Sequence, residues 1–216
     1  MINLAQYIEQ TFLKQDATQE ELSHFLSQAE QHRFFGVCIP PCYVGFAKQH
    51  LAHTNIKIIT VIGFPLGYST SEVKAFEAGK AIQDGADEID MVLNISAFKS
   101  KNWDFVLEDM ETVKKACGQI PLKVIIETDL LTKAEIEKAC LLCIEAKVDF
   151  VKTSTGFVKN GIGAKAEDVA LISQIVKPYG IKVKASGGIK TKQQAEIMIS
   201  AGADRIGTSA GIQIVE

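Results

Sequence analysis

The chain has 216 residues, 47% of them hydrophobic and 23% charged, with a formal net charge of -3. That is enough apolar sequence for one well-filled core, too ordinary a balance for a disordered chain, and no electrostatic footprint for nucleic acid. No apolar run reaches the ~20 residues that span a membrane, and the opening MINLAQYIEQTFLKQD has neither the basic start nor the continuous apolar stretch of a signal peptide.

Along the chain, short β-branched apolar runs alternate with amphipathic helical stretches. The runs are Thr11-Phe12-Leu13, then FFGVCI, IKIITVI, DEIDMVLN, LKVIIET, VDFVKTS, IKVKAS and ADRIGTS. Thr18 precedes Glu21, Thr132 precedes Glu135 and Thr191 precedes Gln194, each at capping-box spacing, so a helix is expected to start at each threonine. DGADEID, EAKVDFV and SAGADRI repeat a helix end, a small residue and an aspartate, which marks a repeated unit. Runs that are apolar throughout, rather than alternating, predict strands covered on both faces and therefore a parallel sheet. Eight strand–helix units predict a closed α/β structure, the (β/α)8 TIM barrel, as a single domain over residues 1–216.

Five cysteines without a secretory signal read as reduced thiols in a cytoplasm. Cys140 and Cys143 form a C-x-x-C inside the helical pattern AEIEKACLLCIEA and read as small apolar helix residues. Cys38 and Cys42 have no second ligand pair at zinc spacing.

Barrel chemistry belongs at the carboxyl ends of the strands. The fourth strand brings Asp90 and Asn94, the fifth Lys123, Glu127 and Asp129, the sixth Lys152 and the seventh Lys184. Period-two alternation puts Lys152 on the face of Phe150 and Ser154, and Lys184 on the face of Ser186. If both faces point inward, two lysines approach each other with Asp90 in the same mouth. A lysine is a nucleophile only without its proton, and burial beside a second cation favours that loss. Its free amine can attack a carbonyl to give a Schiff base, an electron sink for breaking or making a C–C bond, with Asp90 moving protons. Each residue also has a plainer reading. Lys123 and Lys182 read as rim lysines that reach solvent, Asp90 as a buried, ion-paired carboxylate, and Lys165 as a surface residue.

SGGI (Ser186–Ile189) follows the seventh strand and GTSAG (Gly207–Gly211) the eighth. These are the usual phosphate loops of a barrel, in which glycines let backbone amides approach an anion. His24, His32, His50 and His53 fall in helices or the segments leaving them, which argues against histidine base chemistry or a His-ligated metal. No dinucleotide fingerprint follows the first strand and no Walker loop occurs, so no nucleotide cofactor is expected.

GADEIDMVLNI, LKVIIETDLLT, DFVKTSTGF, VKASGGIK and GADRIGTSAG, with TVIGFPLG and SEVKAFEAGKAI, make the chain similar to the deoxyribose-phosphate aldolase family over essentially its whole length. The resemblance implies Lys152 as the Schiff-base lysine, Lys184 as the second lysine that depresses its pKa and exchanges protons, and Asp90 as the proton relay. It implies phosphate contacts from Gly156, Gly187, Gly188, Gly207 and Ser209, and no metal or organic cofactor. The implied reaction is reversible cleavage of 2-deoxy-D-ribose 5-phosphate to acetaldehyde and D-glyceraldehyde 3-phosphate. Partners are then a small sugar phosphate, no nucleic acid and no membrane, and a homodimer is an assembly the sequence allows. The chain departs from the family pattern at Glu9 and Gln10 (Asp-His is usual), Gln15 (proline), Lys165 (a threonine cap) and Ala210 (a second serine), and it ends at Glu216 without the tyrosine-bearing tail of some members. Weaker phosphate grip or altered turnover is the expectation from these. Two rival classes are a barrel isomerase or synthase in which Lys152 is an acid or base, and a sugar-phosphate-binding barrel without activity.

Overall fold

A computed structural model describes residues 3–216; Met1 and Ile2, which open the stretch read as lacking a signal peptide, lie outside the described residues. The strands are β1 (Ile8–Thr11), β2 (Gly36–Ile39), β3 (Lys57–Ile62), β4 (Glu88–Val92), β5 (Leu122–Ile125), β6 (Phe150–Lys152), β7 (Lys182–Ser186) and β8 (Arg205–Thr208). They close in sequence order, each parallel to the next, with β8 pairing back onto β1. Parallel neighbours require a crossover, and helices supply it, so the chain forms the expected (β/α)8 TIM barrel in one domain.

One strand lies elsewhere than expected. β1 precedes Phe12 and Leu13, because its centre is the polar pair Glu9-Gln10 and no apolar run marks it. Its place is set by pairing: Glu9 lies opposite Gly36 of β2 and Gly207 of β8.

Capping boxes form at Thr18, Thr132 and Thr191, opening the helices Gln19–Gln31, Lys133–Glu145 and Lys192–Ser200. Cys140 and Cys143 are buried in the second of these, where burial pushes the Cys140 thiol up to about 12. The helix Ala166–Val176 starts at Lys165 without a side-chain cap. The helices Ser71–Gln83 and Trp103–Cys117 lie side by side and enclose a fully buried pair, Lys74 Nζ to Asp109 Oδ2 at 2.6 Å. Lys74 also donates to the Val92 carbonyl at 3.1 Å, which ties the end of β4 to this layer.

Alternation divides the strand residues between two environments. Outward side chains such as Ile58, Ile89, Val124, Val151, Val183 and Ile206 join the helices in one large apolar cluster. Inside the barrel a small separate cluster holds Cys38, Ile59 and Val61, with Leu13 and Phe64 packed over it. The other side of the barrel interior is charged. No helix among the described residues is long and apolar enough to cross a membrane.

Candidate active site

The register of β4 to β7 assembles the charged interior. Asp90 lies opposite Lys123, Ile125 opposite Lys152, and Lys152 opposite Lys184. Asp90 Oδ2 accepts from both Lys152 Nζ and Lys184 Nζ at 2.7 Å, while Oδ1 accepts from Lys123 Nζ at 2.9 Å. Lys184 also donates to Glu9 Oε2, and Lys123 reaches Glu88 at 2.5 Å and Glu9 at 3.8 Å. Three lysines and three carboxylates therefore share one buried cluster, centred on Asp90.

Burial by itself would raise the Asp90 carboxyl, but Lys123, Lys152 and Lys184 together hold it well below the usual carboxylate range. Burial would likewise strip the proton from Lys184 and Lys123, and the carboxylates Asp90 and Glu9 overcome it, so both ammonium groups are held above the ordinary lysine value. Two of the three lysines are thus committed cations in ion pairs. Close by, burial pushes the Cys38 thiol up, so it stays a neutral wall residue.

Above the cluster opens a cavity of about 440 Å³ whose lining includes Lys152, Ser154, Gly156, Gly187, Gly207 and Ser209. This is the size range of small-ligand sites. Gly188 lines it as well. Of the three interior lysines, Lys152 alone lines the cavity; its side chain is 5% exposed, against 0% for Lys123 and Lys184. The Ser154 hydroxyl is buried without a hydrogen-bond partner in the protein and lies on the same wall. Ser186 donates to the Ser154 carbonyl at 2.6 Å, and Thr153 Oγ1 bonds both the amide and the carbonyl of Ser186 at 3.0 Å. These cross-ties lock the ends of β6 and β7 together beneath the cavity.

Glycine is required on the far wall. Gly188 has φ +75°, and a Cβ there would come within 2.3 Å of the Ile162 carbonyl oxygen. At Gly207 a Cβ would sit 3.0 Å from Cε of Lys184, so the missing side chain leaves room for that lysine. A second cavity of about 420 Å³ shares Leu13, Lys14 and Phe157 with the first and runs over Pro40, Cys42, Phe64 and Pro65. Phe64 and Phe157 meet edge to face across this mouth with ring centroids 5.1 Å apart.

The structure thus brings Asp90, Lys152 and Lys184 into direct contact and sets Gly156, Gly187, Gly188, Gly207 and Ser209 around one cavity. Other strand-end residues go elsewhere. Asn94 caps the short helix Ile95–Lys99, accepting from the Ala97 amide at 3.0 Å. Glu127, held at φ +59°, accepts from the Thr155 amide at 3.2 Å and from its hydroxyl, and Asp129 accepts from the Gly163 amide at 2.7 Å. Both brace the long loop after β6. Lys123, expected at the rim, is fully buried among carboxylates and over the Phe150 ring. Lys182 is exposed at the start of β7, as expected. Glu9, Glu88 and the apolar wall of Leu13, Phe64 and Phe157 were not singled out by strand-end reading; the β1 pairing partner Gly207 is the sequence feature that could have placed Glu9.

A model of the DeoC/LacD family aldolases matches residues 4–215. The chain belongs to the DeoC/LacD aldolase family. It is 52% identical over 213 residues to the deoxyribose-phosphate aldolase of Mannheimia succiniciproducens, covering 99% of this chain and 94% of that one. It is 50% identical over 215 residues to deoxyribose-phosphate aldolase 1 of Mesoplasma florum, covering 100% and 96%. A solved deoxyribose phosphate aldolase from Aeropyrum pernix superimposes with a TM-score of 0.90 at 31% identity, over 98% of this chain and 89% of that one. The resemblance read from the motifs is therefore borne out.

Against that family frame the departures acquire positions. Glu9 reaches the Lys184 ammonium from β1, so its longer side chain is accommodated inside the barrel. Gln10 points outward; its Oε1 accepts from the Gly211 amide at 2.9 Å and its Nε2 donates to the Ser209 carbonyl at 3.2 Å. It pins the loop after β8 that this DeoC/LacD aldolase sets at the cavity. Ala210 is not on the cavity wall, and its amide donates to Thr208 Oγ1 at 2.9 Å.

Proposed function

We propose that the chain is a class I aldolase that reversibly cleaves 2-deoxy-D-ribose 5-phosphate to acetaldehyde and D-glyceraldehyde 3-phosphate. The observation that carries this reading is that Lys152, alone of the three interior lysines, lines a cavity whose opposite wall is built from glycine loops. The shared name of the curated relatives supports the substrate.

In this reading the phosphate sits against Gly187, Gly188, Gly207 and Ser209, where backbone amides can approach it, and C1 of the open-chain sugar faces Lys152. The free amine of Lys152 attacks C1, and the carbinolamine loses water to give an iminium ion. Loss of the C3 hydroxyl proton then breaks the C2–C3 bond. Its electron pair moves into the iminium to form an enamine, and the C3 aldehyde leaves as glyceraldehyde 3-phosphate. Protonation of the enamine at C2 and hydrolysis release acetaldehyde and free Lys152. Lys184 is the proton donor, kept charged by Glu9 and Asp90, and Asp90 is the ionised acceptor touching both lysines. Because Lys184 and Lys123 are held as cations, Lys152 is the amine left to act as the nucleophile. The apolar wall of Leu13, Phe64 and Phe157 limits water around the enamine.

Five unpaired cysteines, four of them buried, support a reducing compartment, and we place the enzyme in the cytoplasm. The Aeropyrum pernix relative is described as tetrameric, and we propose the homodimer as the assembly of this chain. The test of the chemistry is borohydride reduction with 2-deoxyribose 5-phosphate present, followed by peptide mapping. The expected result is one adduct, on Lys152, absent in Lys152→Ala. An adduct on Lys184 or Lys123 would reverse the roles, and turnover without any adduct would remove the Schiff base.

A further inference from the structure

Six hydroxyl-bearing residues line the cavity above the ionic cluster: Thr11, Ser154, Thr155, Ser186, Thr208 and Ser209. A hydroxyl has one proton to donate, and four of the six already donate it within the protein. Thr11 donates to the Glu9 carbonyl at 3.1 Å, Ser186 to the Ser154 carbonyl at 2.6 Å, Thr208 to the Ile189 carbonyl at 2.6 Å, and Thr155 to the Glu127 carboxylate. Ser209 is exposed in the loop after β8. Ser154 is the sixth, and its setting is different. It is 1% exposed, yet its Oγ has no hydrogen-bond partner among the described residues. A buried hydroxyl without a partner weakens the fold, and one on a cavity wall finds its partner in a ligand.

Its position says which part of a ligand it meets. Ser154 stands two residues past Lys152 on the same inward face, roughly 6–7 Å further along the chain toward the cavity. Its Cβ lies 3.3 Å from where a Cβ on Gly187 would stand, so it adjoins the first glycine loop. The hydroxyl is thus set between the amine that takes C1 and the loop that faces the phosphate. Between those two ends the open-chain sugar carries hydroxyls at C3 and C4. The C3 hydroxyl gives up its proton as the C2–C3 bond breaks, so it belongs beside an ionised acceptor and not beside a neutral serine. The C4 hydroxyl lies one carbon nearer the phosphate and takes no part in bond breaking. We propose that Ser154 recognises this C4 hydroxyl, which is the C2 hydroxyl of the acceptor aldehyde in the reverse direction. Ser154 thereby selects 2-hydroxyaldehyde phosphates over their deoxy analogues. It has this role only if the chain is the aldolase proposed above.

The experiment runs the reaction in the direction of synthesis, with acetaldehyde and either D-glyceraldehyde 3-phosphate or 3-oxopropyl phosphate, which lacks only the hydroxyl in question. Wild type should prefer the hydroxylated acceptor. Ser154→Ala should lower kcat/KM for D-glyceraldehyde 3-phosphate about ten- to hundredfold, because the substrate hydroxyl is then buried without its partner. The same variant should leave kcat/KM for 3-oxopropyl phosphate nearly unchanged, so the preference of wild type disappears. Since the Ser154 oxygen holds nothing among the described residues, the urea midpoint of the variant should be no lower than that of wild type. Equal losses on the two acceptors, with or without a lower urea midpoint, would make Ser154 a structural residue and overturn the proposal. No loss on either acceptor would overturn it as well. Borohydride trapping with acetaldehyde alone keeps the two readings apart. An adduct on Lys152 in both proteins upholds the aldolase chemistry whichever way the acceptors fall, and its absence from wild type removes that chemistry and the role of Ser154 together.

Discussion

Which interior lysine can act as a nucleophile is decided by what each one already holds. Lys123 and Lys184 are fully buried and ion-paired to two or more carboxylates, whereas Lys152 pairs with Asp90 alone and reaches the cavity. In the roles proposed above, Lys184→Met leaves the nucleophile Lys152 in place and removes the proton donor. We expect kcat to fall by about 10²- to 10⁴-fold, the range of a positioned acid–base group, while borohydride still marks Lys152. A variant in which trapping disappears along with turnover would make Lys184 the nucleophile or essential to it. The glycine-loop wall proposed to hold the phosphate gives a second residue-scale prediction. Ser209→Ala should raise KM for 2-deoxyribose 5-phosphate by about ten- to hundredfold, the worth of one hydrogen bond to a charged group, with kcat nearly unchanged. Unphosphorylated 2-deoxyribose should be processed equally by both proteins. An equal loss on both sugars would place Ser209 outside the phosphate site.

At the scale of elements, seven of the eight strands were legible because their outward faces, and often their ends, are apolar, and β1 was not because Glu9 and Gln10 occupy its centre. The same polarity concealed the ionic cluster. A buried lysine such as Lys123 looks like a rim lysine until its partners are known, and those partners come from β1 and β4. Motif text found Asp90, Lys152 and Lys184, since two inward lysines on neighbouring strands follow from period-two counting. It could not find that Asn94 turns away into a helix cap, because that depends on an extra helix inserted after β4. The loop after β6 shows how an element responds to such bracing. Burial raises the Glu127 carboxyl above its ordinary value, against the opposing bonds from Thr155. A raised folded value means that the protonated form is favoured in the fold, so the ionised group opposes folding at neutral pH and ceases to do so as pH falls through that value. Glu127→Gln retains an acceptor for Thr155 without the charge. It should be more urea-resistant than wild type at pH 7–8, and the advantage should shrink as pH is lowered toward the wild-type Glu127 titration. An advantage independent of pH would show that the charge of Glu127 is not what burial opposes.

For the whole molecule, the barrel interior contributes little apolar burial on its charged side, so cohesion comes from the layer between strands and helices and from neutral balance inside. Removing one carboxylate from such a cluster leaves buried cations short of a partner, which typically destabilises by ~3–5 kcal/mol. Asp90 is the carboxylate with most contacts, touching all three lysines. Its carboxyl is held well below the usual range, so its contribution is fully present above the unfolded carboxylate value of about 3.9 and is lost as pH falls through the lowered folded value. Lys123 and Lys184 are shifted the other way, so their contribution is fully present below about 10.4 and is lost only as pH rises past their raised folded values. The two limits leave one broad window in which the cluster is intact. Urea unfolding of wild type and Asp90→Asn should therefore differ by a constant amount from about pH 5 to pH 9, and the difference should narrow below about pH 4 as the wild-type carboxylate takes up its proton. A gap that stays constant down to the lowest pH at which both proteins fold would mean that Asp90 stabilises the barrel by packing, and that the ionic centre is not what holds the three lysine-bearing strands in register.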